Sequence, residues 1–278
     1  TLGVIVEAAL KILPCPEQRT LIIAGFRGLE EAVKAAQLIL RRTTPSSLEL
    51  LTEKYVETMN KVMKHFKYPP CKAVIMVELD GSQVEVEHGS SFVAKEFKSV
   101  GAEALEVYWN ENDRAELWHA RHHAGFTILR MFTSSEVKIK AAHIHDVCLP
   151  LSRILEYLRY AEEEASKLGI SLLPYGHLGD GNLHVNWYVD TSSEASIRAA
   201  IALTKKMIEK VIELGGTISA EHGVGALRSH YVSLQHGPLL EYMKRIKAVF
   251  DPNNIMNPGK LWPEDEEDFL EQLLKKVS

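Results

Sequence analysis

Two histidines, His177 and His184, lie in the run from Pro174 to Asn186, either side of Gly179-Asp180-Gly181. An Asp-Gly pair between runs that alternate apolar and polar residues predicts a hairpin, because a type I′ turn needs positive φ at both central residues. With Asp180 and Gly181 as the loop, Leu178 faces Leu183, His177 faces His184 and Tyr175 faces Asn186. Directly opposed side chains share a face, with Cβ atoms about 4.5–5.5 Å apart. Two imidazoles at that spacing can hold one metal ion, and Asn186 extends the same polar row. The plain alternative is a cross-strand pair of surface histidines.

A second stretch, Glu221-His222-Gly223, follows a short apolar run and a glycine-marked helix stop at Gly215-Gly216. Neighbours in a regular strand point to opposite faces, so Glu221 and His222 serve one site only if the backbone turns. Gly223 and Gly225 permit that turn. With His177 and His184, Glu221 completes a His₂-carboxylate set that leaves positions open, the mark of a catalytic rather than a structural metal site. His222 then stands beside the metal as a general base. The alternative is a helix-start glutamate with a solvent-facing histidine.

Arg121, Arg228 and Arg245 can each clamp a carboxylate. Arg121 is best placed, three residues after Trp118 on one helix face, with the indole to pack it. A surface ion pair is the ordinary role for any one of them. Other signals are weak: His122 and His123 after Arg121, and His143 and His145 near a strand end. The glycines at 176, 179 and 181 are not in the dinucleotide-binding order. The P-loop, the Gly-x-Ser-x-Gly elbow and His-Glu-x-x-His are absent, which disfavours nucleotide hydrolases, α/β-hydrolases and common zinc peptidases.

The elements that position these residues follow from periodicity. Strands are expected at Gly3–Leu13, Thr20–Phe26, Ser47–Thr52, Ala73–Leu79, Ala104–Trp109, Ala142–Leu149, both arms of the hairpin, and Thr217–Ala220. Helices are expected over 28–41, 55–66, 84–100, 113–123 and 152–168, and after a capping box at Thr191–Glu194. From 142 to 220 the order is strand, helix, strand, strand, helix, strand, the split βαβ or ferredoxin-like order. Residues 20–109 approach the same order with one extra helix. The expected fold is α+β, with mixed or antiparallel ferredoxin-like sheets covered by helices on one side and a helical segment over 238–278. Its acidic run, Glu264–Asp268, reads as a solvated face.

Composition limits the rest. The 278 residues suit one large domain or two small ones, and 46% hydrophobic with 25% charged content supports a sizeable core. A net charge of −5 argues against an extended nucleic-acid surface. Cys15, Cys71 and Cys148 are sparse and odd in number, as in a reducing, cytoplasm-like compartment. No apolar run is long enough to cross a membrane. Thr1–Leu13 is interrupted by Glu7 and Lys11 and is not a signal peptide; it reads as a strand from a domain interior.

Three long motifs, Tyr175–His184, Gly216–Gly225 and Phe250–Lys260, together resemble the C-terminal half of the FAD-linked oxidases. These include D-lactate dehydrogenases, glycolate oxidase flavin subunits and D-2-hydroxyglutarate dehydrogenases. Leu117–Arg121 and Asp146–Pro150 also resemble the D-lactate dehydrogenase branch, and the likeness covers nearly the whole chain. The resemblance implies a divalent metal, zinc or manganese, on His177, His184 and Glu221, substrate contacts from Arg121 and Asn186, and a proton-accepting His222. It places Asn257 and Lys260 near FAD. It implies oxidation of a D-2-hydroxy acid, D-lactate-like, to the 2-oxo acid by hydride transfer to the flavin. The hydroxyglutarate branch carries a lysine just before the counterpart of Asp146; here Ile144-His145 stands there, which disfavours a substrate with a distal carboxylate. The resemblance implies an N-terminal FAD-binding domain of comparable size, of which residues 1–13 resemble only the last strand, so the sequence is expected to be a fragment or to have its flavin site supplied by a separate subunit. Residues 14–237 then form the substrate-binding domain and 238–278 a C-terminal helical cap.

The expected partners are therefore a FAD-binding domain or subunit, a small 2-hydroxy acid, an electron acceptor and a second copy in a homo-oligomer, with no nucleic acid. The expected location is cytoplasmic, peripheral to a membrane, or mitochondrial in a eukaryote. Two other classes stay open on the residues themselves: a metal-dependent hydrolase using the same His₂-Glu set, and a non-catalytic ligand-binding module.

Overall fold

The computed structural model describes residues 3–63, 65–123, 125, 141–264, 271–272 and 274–275. Thr1, Leu2, residues 265–268 of the acidic run, most of the tail after it, and the side chains of His143 and Ile144 lie outside the described residues.

The first half runs β1 (Gln18–Phe26), α1 (Leu29–Leu40), β2 (Ser47–Thr52), α2 (Glu53–Val62), β3 (Ala73–Gly81), α3 (Gln83–Ser99), β4 (Ala104–Tyr108) and α4 (Glu111–His122). The second half runs β5 (Ala141–Cys148), α5 (Ile154–Lys167), β6 (Leu173–Gly176), β7 (Asn182–Val189) and α6 (Glu194–Glu213). Short helices α7 (Gly225–Arg228) and α8 (Val232–His236) lead into α9 (Leu239–Phe250). The seven strands form one sheet in the order β4-β1-β3-β2-β6-β7-β5, antiparallel at every pairing. Each half is thus a split βαβ unit, and the two join edge to edge at β2 and β6, where Leu51 faces Tyr175. Pairing those edges removes two rows of exposed backbone groups that would otherwise invite aggregation.

Alternation along the strands gives the sheet two apolar faces. The back face carries Ile22, Ala24, Leu50, Ile75, Val77, Leu183, Val185 and Trp187 under α1, α3, α5 and α6. A strong N-terminal signal helps fix α3: Ser82 and Glu85 form a reciprocal capping box. The front face carries Leu21, Ile23, Leu51, Val74, Met76 and Tyr175, packed against α2 and α4. Helices therefore cover both faces, and the cover on the front is supplied by the extra helix of the first half and by α4. Those two helices pack against the first half of the sheet and its junction with β6, and the polar row of β5–β7 lies beside them.

Four local expectations differ. Residues 3–13 run without regular structure, their apolar side chains exposed. An extended segment with no ladder partner among the described residues has nothing to hold it as a strand. The cap of α6 is Ser193, which accepts from Ser196 N, rather than a box opening at Thr191. The strand expected over 217–220 is reduced to one bridge, Thr217 with Cys148, because the next backbone N–H groups turn to a side chain.

The hairpin is wider than a two-residue turn. Tyr175 faces His184 and Leu173 faces Asn186, a register two residues from the expected one. Residues 177–181 form the connection, in which His177 O accepts from both Asp180 N and Asn182 N. Gly181 takes φ 74°, and a Cβ there would meet Leu149 O at 2.2 Å. The 3₁₀ turn at Leu178–Asp180 replaces the type I′ geometry because Leu178 is drawn fully into the core. A shift of two keeps every side chain on its face.

Candidate functional site

The site lies on the front face where β5, β6 and β7 continue the sheet beyond α2 and α4. His184 on β7 sits between Tyr175 on β6 and Asp146 on β5. His177, just past β6, reaches in from the connecting loop, and its ring meets that of His184 edge-on with centroids 5.4 Å apart. The expected facing pair becomes an adjacent pair, brought together by the loop.

Glu221 and His222 arrive on the segment after α6. Asp146, completely buried, accepts backbone N–H bonds from Ala220 (3.0 Å), Glu221 (3.2 Å) and His222 (3.0 Å), all on Oδ2. Three convergent donors on one oxygen wrap the backbone around Asp146. This is the turn that lets neighbouring side chains serve one site. Gly223 and Gly225 follow with φ 71° and 56°, a conformation that side-chain-bearing residues rarely adopt.

The three expected ligands meet at one atom. Glu221 Oε1 is 3.1 Å from His184 Nε2 and 3.4 Å from His177 Nε2. Two donors each about 2.1 Å from a tetrahedral ion would stand about 3.4 Å apart. Those two pairs therefore have the spacing of neighbouring ligands around a divalent cation. His222 Nε2 lies 3.7 Å from the same oxygen, on a half-exposed side chain. The residues whose ligand atoms all lie within 4.8 Å of one another are Asp146, His184, Glu221 and His222, a group that does not include His177. Asp146 Oδ2 is committed to backbone, however, and Oδ1 faces the opposite ring nitrogen, His184 Nδ1, at 3.6 Å. Asp146 thus holds the Glu221–His222 backbone and stands behind the His184 ring without a hydrogen bond to it, rather than on the side of Nε2. Burial, with the nearby Arg121 charge second, lowers the His184 pKa to about 4. The ring is therefore neutral at pH 7, as a metal ligand must be.

Arg121 is brought close, but differently from expectation. Its guanidinium lies over the Tyr175 ring, 4.9 Å from the centroid, while Trp118 stacks on His122 and donates from Nε1 to Glu78 Oε2 at 2.6 Å. Arg121 Nε and Nη2 both face Glu49 Oε2, at 3.0 and 2.7 Å. Asn186 is buried, and its Nδ2 donates to Tyr175 Oη at 3.3 Å. Arg228 is also buried, but its Nη1 donates to Gly223 O at 2.8 Å, so it braces the turn. Arg245 is a surface residue 3.5 Å from Glu241. Asn257, at φ 51°, and Lys260 are exposed on the loop after α9, joined by the backbone bond Lys260 N→Asn257 O. Among the described residues neither bonds to the His-Glu cluster. His145 is buried on the other face against Trp187 and Tyr157, so it does not stand in for a substrate-binding lysine.

Two carboxylates central to the site carry no role on sequence grounds. Glu49 is a lone acidic residue inside the apolar strand Ser47–Thr52, which is itself a signal, since an acidic side chain is almost never fully buried unless paired. Asp146 stands among strand residues in the same way.

Residues 15–261 match the family described as FAD linked oxidases, C-terminal domain. The chain is 30% identical over 267 residues to glycolate oxidase subunit GlcD of Bacillus subtilis, covering 95% of this chain and 55% of that protein. It is 30% identical over 265 residues to the mitochondrial D-lactate dehydrogenase [cytochrome] of Arabidopsis thaliana, covering 95% and 46%. The chain spans about half the length of such relatives. Among solved structures, 4-ethylphenol oxidase from Gulosibacter chungangensis superposes with a TM-score of 0.65 at 18% identity, covering 91% of this chain and 55% of that one. That last likeness concerns the fold alone.

Proposed function

The chain belongs to the FAD-linked oxidases through their C-terminal domain, and we propose that it forms the metal- and substrate-binding half of a flavin-dependent D-2-hydroxy-acid dehydrogenase. The observation that carries the reading is the convergence of His177 and His184 on Glu221 Oε1, with His222 beside them. Glycolate oxidase and D-lactate dehydrogenase among the relatives supply the substrate class, a small 2-hydroxy acid. Most of the FAD site would lie on a further domain of the same protein or on a partner subunit, and residues 1–278 alone are expected not to turn over.

His177, His184 and Glu221 would hold zinc or manganese. Asn257 and Lys260 would face the flavin. Bound there, the cation supplies Lewis acidity towards the substrate's 2-hydroxyl and carboxylate, and the flavin supplies the acceptor for the hydride leaving C2. The chain's own residues do the remaining work. Arg121 binds the carboxylate through Nη1, the nitrogen not turned to Glu49. Asn186, oriented by Tyr175 Oη, holds the polar end of the substrate. His222 Nε2 takes the hydroxyl proton, and its exposure lets that proton pass on to solvent.

The test is D-lactate-dependent reduction of an artificial electron acceptor by the chain with and without a flavin-binding half. Turnover is expected only with both, and His222→Asn lowers kcat by about 10²–10⁴-fold. Turnover by the isolated chain with added FAD overturns the division of labour. Metal-dependent ester hydrolysis without flavin overturns the reaction class.

A further inference from the structure

Glu49 belongs to the first half of the sheet, yet it reaches into the second half's site. It is only 2% exposed. An uncompensated carboxylate at such depth costs several kcal/mol, so its partners define its role. Oε1 faces His177 Nδ1 at 2.8 Å and accepts from Ser47 Oγ at 2.9 Å. Oε2 takes both Arg121 contacts. A purely structural ion pair would need Arg121 alone.

We propose that Glu49 is a positioning residue that couples metal binding to substrate-carboxylate binding, one oxygen holding His177 and the other holding Arg121. This rests on the reading of the site given above. His177 Nδ1 donates to Glu49, which fixes the tautomer and leaves Nε2, 3.4 Å from Glu221 Oε1, as the ligand atom for a cation held between the two. Arg121 meets Oε2 through Nε and Nη2, with its guanidinium over the Tyr175 ring, which leaves Nη1 as the remaining donor for a carboxylate. Both partners hang on one rigid planar group, so a rotation of the Glu49 carboxylate moves both. Coupling of this kind is reciprocal: whatever orders His177 also orders Arg121.

The test uses the 278-residue chain, with Co²⁺ as the metal probe followed by its visible absorption, and D-lactate as the carboxylate probe followed by the change it makes in that spectrum. Glu49→Gln keeps the shape and removes the charge. The expected result is a 10–100-fold weaker Co²⁺ affinity. Weaker D-lactate binding at saturating Co²⁺ accompanies it, and Glu49→Asp partly rescues both. Long-range ¹H–¹⁵N spectra of the wild-type chain give a readout that needs no variant, with His177 expected as the Nδ1–H tautomer. Unchanged Co²⁺ affinity in a folded Glu49→Gln, loss of only one of the two affinities, or an Nε2–H tautomer overturns the proposal. If wild-type chain binds no Co²⁺, the metal reading fails instead, and the tautomer still decides whether Glu49 holds His177.

Discussion

In the first half of the sheet the fourth strand, β4, is a full ladder against β1, whereas in the second half it shrinks to the bridge between Cys148 and Thr217. The connection between the two inner strands differs as well. In the first half it contains α2, which buries Tyr55, Val56 and Met59. In the second it is the tight loop that carries His177. Counting two residues back from the pair that opens each fourth strand, Gly25–Ala104 and Cys148–Thr217, places Ile23 where Asp146 stands. The ladders then match Met76 with His184 and Glu49 with Tyr175. The same architecture holds an apolar row in one half and a polar row in the other. The site arises where the second half gives up ladder and helix: a buried carboxylate takes backbone donors from a strand, and a loop replaces a packed helix. Glu49 is the exception in the first row, and it faces the junction.

The largest expected effect breaks this correspondence at Asp146. Asp146→Ala strands three backbone donors beside a buried histidine and should cost about 3–5 kcal/mol in urea unfolding. Its counterpart change, Ile23→Val, should cost about 0.5–1.5 kcal/mol. Equal costs would mean the 220–222 turn does not depend on Asp146.

Next in size is a change that makes the second row like the first. His184→Met gives the residue found at 76 and should leave a folded chain with metal affinity reduced by more than about 100-fold, beyond what loss of a supporting residue does. Met76→Leu should leave metal binding unchanged.

Tyr175→Phe removes only the hydroxyl that orients Asn186. A loss of about 0.5–1.5 kcal/mol in stability is expected. D-lactate affinity should fall by up to about tenfold on the same scale. No change in either would remove Tyr175 from the site.

The effect confined to acid pH is a slope. His184 has its pKa lowered to about 4 by burial in the folded state. Its contribution to stability is therefore complete above the unfolded value of about 6.5, and it is lost as pH falls from there toward 4. In the metal-free chain the wild type should lose up to about 1.4 kcal/mol per pH unit more than His184→Asn across that window. Parallel curves would mean the ring is solvated.

Much of this architecture is legible from residue order. Ser47–Thr52 is a strand as its pattern predicts, and the repeated split βαβ order appears in both halves. The His177, His184 and Glu221 grouping is legible because its residue types are rare together and carry glycine turns. Register is not, because a loop held by backbone bonds to His177 O and by a buried Leu178 leaves no short-range mark beyond Asp-Gly. Glu49 escapes a sequence reading because its partners are distant along the chain: His177 and Arg121 come from β6's loop and from α4. The packing of Arg121 on Tyr175 rather than Trp118 has the same cause, since tertiary contact outweighs helix-face proximity.

The central claim is that one divalent ion is held by His177, His184 and Glu221. Calorimetric titration of the metal-free chain with Zn²⁺ tests it most directly. A single saturable site per chain is expected, lost in His184→Asn and in Glu221→Gln. No saturable site, or one whose affinity in both variants is unchanged from the wild type, would contradict it.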